Sequence, residues 1–314
     1  MRAIVLDQFG SPDHLKLRDD VDTPEAGPGQ VLVRVHAASV NPVDTKIRQH
    51  GDQYGIEPPV IIGYDVSGVV EAIGDGVDDL VVGDEVFYTP ELDANGAYAE
   101  YHVADSGIVV VKPADLSHEE AAAIPLAACT AWQALIDKAG LKIGEHVLIH
   151  GGGGVGHFAV QIAHAAGARV VVVGSPEMED VLLDGGADVF VNYHEADGTS
   201  AMEDLSCGLG ADVVFDTVGG ETLAKSVDAL AMNGRMVTIV GDASGAFGQA
   251  YRKNASIHPM MMHRDGGMLD RIAALVETGD LEPSIDSVMP LADAAEAHRL
   301  IEKGGVEGKI ILTP

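Results

Sequence analysis

Residues 145–174, EHVLIHGGGGVGHFAVQIAHAAGARVVVVG, restrict the fold more than any other stretch of this chain. An apolar run at 147–149 meets a glycine cluster. A helix-like stretch follows, then a second apolar run at 170–173. The order predicts a strand, a tight turn, a helix and a second strand. Gly151, Gly153 and Gly156 have G-x-G-x-x-G spacing within that frame. The first glycine permits the turn, the second lets backbone approach a pyrophosphate, and the third lets helix pack on strand. Phosphates would then sit at the helix N-terminus, beside Gly154 and Val155, where free N–H groups and the dipole favour anions. A dinucleotide site is therefore expected here.

Around this unit the pattern changes. Residues 1 to about 120 read as β-rich, with short alternating or β-branched runs at 30–35, 66–73 and 85–88 separated by Gly, Pro and Asp clusters. Residues 127–262 alternate strand and helix, with strands expected at 146–150, 169–173, 188–191, 212–216 and 235–240. That alternation predicts a parallel, doubly wound sheet. The tail is mixed: a helix near 267–278, a strand near 284–289, a helix near 292–303 and a last strand at 309–313. The fingerprint thus lies in mid-chain, so the first and last segments are expected to form one domain interrupted by the nucleotide domain. A cleft between two domains is where cofactor and substrate would meet.

Composition narrows the function classes. Only Cys129 and Cys207 are present, which excludes a disulfide framework and a four-cysteine zinc lobe. The start MRAIVLDQFG lacks the basic and apolar regions of a secretory signal. No apolar run approaches the ~20 residues of a membrane span. A soluble cytoplasmic protein is expected. Asp and Glu number 49 against 19 Lys and Arg, a formal charge of −30. The acids are dispersed, and the hydrophobic content is 46%, so no disordered acidic tail is implied. Such a surface repels nucleic acid and anionic membrane. It also repels itself unless salt screens it, which reads as adaptation to a salt-filled cytoplasm.

Several segments resemble, in order, the medium-chain dehydrogenase/reductases. They are AASVNPVDTKIR (37–48), GYDVSGVVEAIGDGV (63–77), GDEVF (83–87), GAYAEY (96–101), AAAIPLAACTAWQAL (121–135), HGGGGVGHFAVQIA (150–163) and VFDTVGGETL (214–223). The likeness covers nearly the whole chain and is greatest to the zinc-independent NADPH:quinone oxidoreductases. One departure is the glycine loop, whose spacing is nearer to the alcohol dehydrogenase branch. The resemblance implies an α/β fold. A GroES-like β-rich catalytic domain would span 1–126 and 263–314, and a Rossmann doubly wound parallel-sheet domain 127–262. A homodimer is also expected.

In zinc members of that family a Cys ligand stands where this chain has Asn41, and a His–Glu pair where it has Tyr64–Asp65. Neither Asn nor Tyr is a common zinc ligand, and the thirteen histidines are scattered without metal spacing. No zinc is therefore expected. Without a Lewis acid, hydride must pass to an electron-poor acceptor, a quinone or an α,β-unsaturated carbonyl. By its match to family positions, Asn41 is a candidate to line the nicotinamide pocket; a turn cap before Pro42 is the other reading. Tyr54, by the same match, could donate its phenolic proton, or could simply flank a turn. Asp44 is expected to hold local geometry, with direct chemistry the alternative.

The resemblance also places Thr130 on the nicotinamide side, a buried threonine being the alternative. Val218 and Gly219 follow the strand VVFD, and the C-terminal ends of parallel strands are where ligands bind in open sheets. Gly241 follows the strand RMVTIV and could present its backbone to the carboxamide, a plain turn being the alternative. An NAD site places an acidic residue about 20 residues past the first glycine, to hold the ribose hydroxyls. This chain has Gly174-Ser175-Pro176 there. Ser175 leaves room for a 2′-phosphate, and Tyr193 matches a family position flanking it. Glu177 and Glu179 stand where related reductases often supply lysine. The cofactor expected is NADPH in preference to NADH. Alternatives are an enoyl-thioester or enone reductase on the same scaffold, or a non-catalytic NADPH-binding redox sensor; fold alone does not separate them.

The charge generates a direct prediction. The Debye length falls to ~3 Å at 1 M salt, muting repulsion among the acids. The melting temperature should therefore rise steeply between about 0.1 M and molar salt. A thermal melt across a salt series checks it. A flat profile would contradict the haloadapted reading.

Overall fold

The computed structural model describes residues 1–241, 243 and 246–314. By contacts the chain divides into two units. One comprises Met1–Leu126, Arg264–Glu277 and Pro283–Pro314; the other comprises Ala127–His263 and Thr278–Glu282. The short piece Thr278–Glu282 leaves the tail for the second unit because the Glu282 carbonyl accepts from His157 at 2.8 Å and Gln161 at 3.0 Å.

The second unit holds a parallel sheet in the order Val189–Asn192, Arg169–Gly174, His146–His150, Ala211–Asp216, Leu230–Thr238, Ser256–Pro259. This is the doubly wound order, with its switch point between His146–His150 and Ala211–Asp216. The central strand is apolar on both faces: Val147, Leu148 and Ile149 are all fully buried. Leu148 pairs with Val171 on one side and Val214 on the other. Burial of each such side chain is worth about 1.5–3 kcal/mol. The helix Gly154–Ala165 is buried from Gly156 through Ala163.

Two details differ from the sequence reading. Leu230–Thr238 begins five residues before the expected start at 235, directly after the helix Gly220–Ala229. Between its pairings at Leu230 and Arg235 the register shifts, so its first half lacks the alternating pattern that marks a strand. The strand Ser256–Pro259 was not expected. It closes one edge of the sheet, where its partly exposed residues need no apolar run.

In the first unit the long strand Gln30–Val40 pairs antiparallel with Val66–Ile73, Tyr101–Asp105 and Lys309–Thr313. Val66–Ile73 continues to Glu85–Tyr88, and Lys309–Thr313 pairs parallel with Ile285–Pro290. Val31, Val33 and Val35 alternate into the core, and both faces are buried beyond Ala37, where His118–Ala122 packs on the sheet. The last strand therefore lies beside Gln30–Val40, although about 270 residues separate the partners Val40 and Ile310. Among the described residues no helix is long and apolar enough to cross a membrane.

The helix Pro42–His50 leaves that long strand. Asn41 is its N-cap, proline starts it, and the Asp44 carboxylate accepts from the Asn41 backbone N–H at 2.9 Å. Its inner face carries Arg48, only 1% exposed. The Arg48 guanidinium donates to the Gly10 carbonyl, the Glu302 carboxylate and His298 Nδ1, the last at 3.2 Å. Nδ1 is therefore the acceptor and the ring proton sits on Nε2, facing the Tyr98 hydroxyl at 3.3 Å. Tyr98 in turn donates to Asp44 Oδ2 at 2.6 Å. Burial and the adjacent Arg48 push the His298 pKa down to about 3, in keeping with this neutral tautomer.

Asp44 is fully buried, and its Oδ1 has no hydrogen-bond partner among the described residues. Burial raises its pKa from 3.8 to about 7, against the opposing pull of Tyr98, the Asn41 N–H and Lys309. A carboxyl raised in this way contributes stability present below its unfolded pKa and lost as pH rises through the folded one. Wild-type protein should therefore lose stability relative to Asp44→Asn between about pH 4 and pH 7. Paired thermal melts at pH 5 and pH 8 check this. A pH-independent difference between the two proteins would contradict it.

Candidate active site

The glycine turn lies at the C-terminal end of His146–His150. Gly151 has φ +96°, and a Cβ on it would meet Thr217 Oγ1 at 2.2 Å. A Cβ on Gly156 would fall 1.7 Å from the Gly151 carbonyl oxygen. The third glycine therefore packs the helix against the turn itself, while its nearest strand side chain, Ile149, is 3.9 Å away. Gly153 is different: it is the N-cap of Gly154–Ala165, and nothing lies within 4 Å of an added Cβ. The space before this helix N-terminus is open, exposed at Gly153 and bordered by half-buried Gly154 and Val155. A pyrophosphate fits that cradle by charge and by access.

Neighbouring strand ends complete the rim. Thr217 donates its backbone N–H and its hydroxyl to the His150 carbonyl, at 3.0 and 2.8 Å. This stitches the loop after Ala211–Asp216 to the glycine turn. Asp216, fully buried, shapes that loop by accepting from Gly219 N at 3.1 Å and Thr238 Oγ1 at 2.9 Å. Val218 is 52% exposed, and a Cβ on Gly219 would meet Val240 at 2.9 Å, just before Gly241. Val218, Gly219 and Gly241 thus gather on the rim with Gly151. Asp216 and Thr217 were not singled out from sequence, although an acid closing an apolar strand is a visible signal.

Ser175 and Tyr193 follow two adjacent strands. Tyr193 N–H donates to the Gly174 carbonyl at 3.1 Å, and its ring lies 3.9 Å from that of His194. The Ser175 hydroxyl is half-buried and has no hydrogen-bond partner among the described residues. Glu177 is exposed on the next turn. Thr130 lies apart from these residues by sequence and burial, 6% exposed within the helix Pro125–Trp132.

In the β-rich unit Asn41 is 2% exposed. Nδ2 donates to Asp65 Oδ2 at 2.8 Å, and Oδ1 accepts from the Lys309 ammonium. Asp65 is fully buried. Its Oδ2 also accepts from Ser39 at 2.6 Å and Lys309 at 3.3 Å, and its Oδ1 from Leu126 N at 2.7 Å. Tyr64, also fully buried, donates to the Leu92 carbonyl at 3.2 Å, and burial raises its pKa. Asp44 joins Asn41 through the Asn41 backbone N–H and is itself closed to solvent. Tyr54 ends the turn Gly51–Tyr54, half-buried, with no partner for its hydroxyl among the described residues. Lys309 was missed from sequence, since nothing local distinguishes it from a surface lysine.

This donor set does not fit a catalytic zinc. The Asp65 carboxylate is filled by four donors, one of them a cation, and the flanking side chains are an amide and a neutral phenol. A divalent ion would have to displace the lysine. Among the described residues no group of three or more His, Cys, Asp or Glu side chains is placed to hold a metal.

The glycine geometry separates two roles by mutation. Gly153→Ala, with φ −69° and open space around its Cβ, should leave the melting temperature unchanged and weaken nucleotide binding. Gly156→Ala should lower both, because the Gly151 backbone must move. Titration calorimetry with NADPH beside thermal melts checks the pair. Unchanged affinity in folded Gly153→Ala would remove the phosphates from this cradle.

Residues 27–114 match the family described as "Alcohol dehydrogenase GroES-like domain", and residues 185–312 the family described as "Zinc-binding dehydrogenase". The Homo sapiens quinone oxidoreductase is 35% identical over 324 residues, covering 99% of this chain and 97% of that protein. A solved structure titled as an NAD-dependent alcohol dehydrogenase superimposes with TM-score 0.93 and 35% identity over the full length of both chains. A mycobacterial protein solved in complex with NADPH does so with TM-score 0.88 and 32% identity, again over both full chains. With its GroES-like domain and its doubly wound nucleotide sheet, the chain belongs to the medium-chain dehydrogenase/reductase superfamily of oxidoreductases, with quinone oxidoreductases among its homologues.

Proposed function

We propose that this oxidoreductase reduces a quinone or another α,β-unsaturated carbonyl with NADPH and without zinc. The observation that carries the reading is the Asn41–Asp65–Lys309 cluster. The family resemblance puts the zinc ligands of other members at the positions of Asn41, Tyr64 and Asp65, and an ammonium and an amide beside Asp65 support a reaction in which no Lewis acid polarises an alcohol or a simple carbonyl. The acceptor must then be electron-poor by its own constitution.

When bound, the reduced nicotinamide supplies a hydride, that is, two electrons with one proton. The chain's part is to orient the acceptor, exclude water and stabilise the oxygen that gains charge. Among the described residues Asn41 has one N–H hydrogen uncommitted after its bond to Asp65, and Tyr54 has its phenolic proton. Both are suited to donate to that oxygen, and a solvent proton then completes the reduced product. NADPH is favoured over NADH because Ser175, neutral and with a free hydroxyl, holds the place where an NAD site has an acid.

The test is nicotinamide oxidation in molar salt against a panel of quinones, enones and acyl-thioesters. Acceptor-dependent oxidation is expected with quinones and enones, faster with NADPH than with NADH. Tight NADPH binding with no turnover on any acceptor would contradict the reading and favour a redox sensor.

A further inference from the structure

Three features around Lys309 point beyond charge neutralisation. Its side chain is 5% exposed, and its ammonium faces both Asn41 Oδ1 and Asp65 Oδ2. Its backbone is clamped, with its N–H bonded to the Ser284 carbonyl at 2.9 Å. The preceding Gly308, at φ +130°, lies so close that a Cβ there would meet the same carbonyl oxygen at 2.6 Å. The lysine therefore starts from a fixed point and ends in a fixed place.

The chemistry at that place is directional. A lysine ammonium only donates and an ionised carboxylate only accepts. Placed on opposite ends of one amide, they permit a single orientation of Asn41: oxygen toward Lys309, nitrogen toward Asp65. Of the two Nδ2 hydrogens, one is spent on Asp65. The direction of the other is then set by the plane of the amide. Remove the ammonium, and the amide gains freedom to rotate or to turn its oxygen elsewhere.

We propose that Lys309 is a positioning residue for Asn41, fixing the amide so that its one uncommitted N–H is presented as a donor to the acceptor oxygen. The proposal rests on the reductase reading above for the identity of that oxygen. It predicts that the lysine sets the rate of reduction rather than cofactor affinity, because it acts through an amide and not on the nucleotide.

Lys309→Met alone leaves a buried carboxylate without its cation and can fail to fold. The decisive comparison is therefore the double replacement Lys309→Met with Asp65→Asn against Asp65→Asn alone, because these two proteins differ only at Lys309. Relative to Asp65→Asn alone, the double variant should keep its melting temperature and NADPH dissociation constant, while kcat falls about 100-fold, a loss that a misplacement near 1 Å can cause. A crystal structure of the double variant should show the Asn41 amide rotated or in two orientations. A double variant with the kcat of Asp65→Asn alone, or with Asn41 in its wild-type orientation, would reduce Lys309 to a counter-ion for Asp65 and overturn the proposal. If wild-type protein reduces no acceptor, the reductase reading fails, and the orientation of Asn41 in the crystal still decides the positioning role.

Discussion

A carboxylate with no solvent exposure has to be satisfied by the protein around it, and Asp65 is satisfied from four separate segments. Ser39 comes from the long strand, Asn41 from the start of the first helix, Leu126 from the helix Pro125–Trp132 and Lys309 from the last strand. Breaking one partner of such a buried pair typically costs about 3–5 kcal/mol, because the other charge is stranded. The fold of the β-rich unit and the geometry at Asn41 thus depend on one group. The chain's last strand cannot be moved without unpairing it. The same tail anchors the helix Pro42–His50 a second time, through Arg48, His298 and Glu302.

The nucleotide unit follows another logic. The proposed phosphate cradle is backbone, so its specification lies in residues that lack side chains. Gly151 must turn left-handed, Gly156 must lie against the Gly151 carbonyl, and Gly153 must leave space open. The side chains that matter are supports: Asp216 and Thr217 hold two loops together at the switch point of the sheet. Rigid backbone donors at a helix N-terminus suit an anionic ligand. That economy matters in a chain of net charge −30.

What sequence revealed and what it hid divide along the same line. The glycine turn, the central strands and the helix Gly154–Ala165 were legible because local period and glycine spacing encode them. The edge strand Ser256–Pro259 was not, since an edge tolerates a polar, proline-containing stretch. Asn41 could be singled out by its match to a family position, but not the direction of its amide. That depends on Lys309, 268 residues away, and on Asp65, neither of which carries a local mark of burial. Asp44 accepts hydrogen bonds from Tyr98 and from the Asn41 N–H. Its raised pKa, by contrast, comes from burial that only the folded chain creates.

The proposed function turns on whether an ammonium and an amide, rather than a metal, occupy the place beside Asp65. Elemental analysis of active protein, prepared without added metal and dialysed against chelator in molar salt, tests it most directly. The account predicts far less than one zinc per chain with undiminished NADPH-dependent reduction of the best acceptor. One tightly held zinc per chain, with turnover lost on its removal and restored on its return, would contradict it.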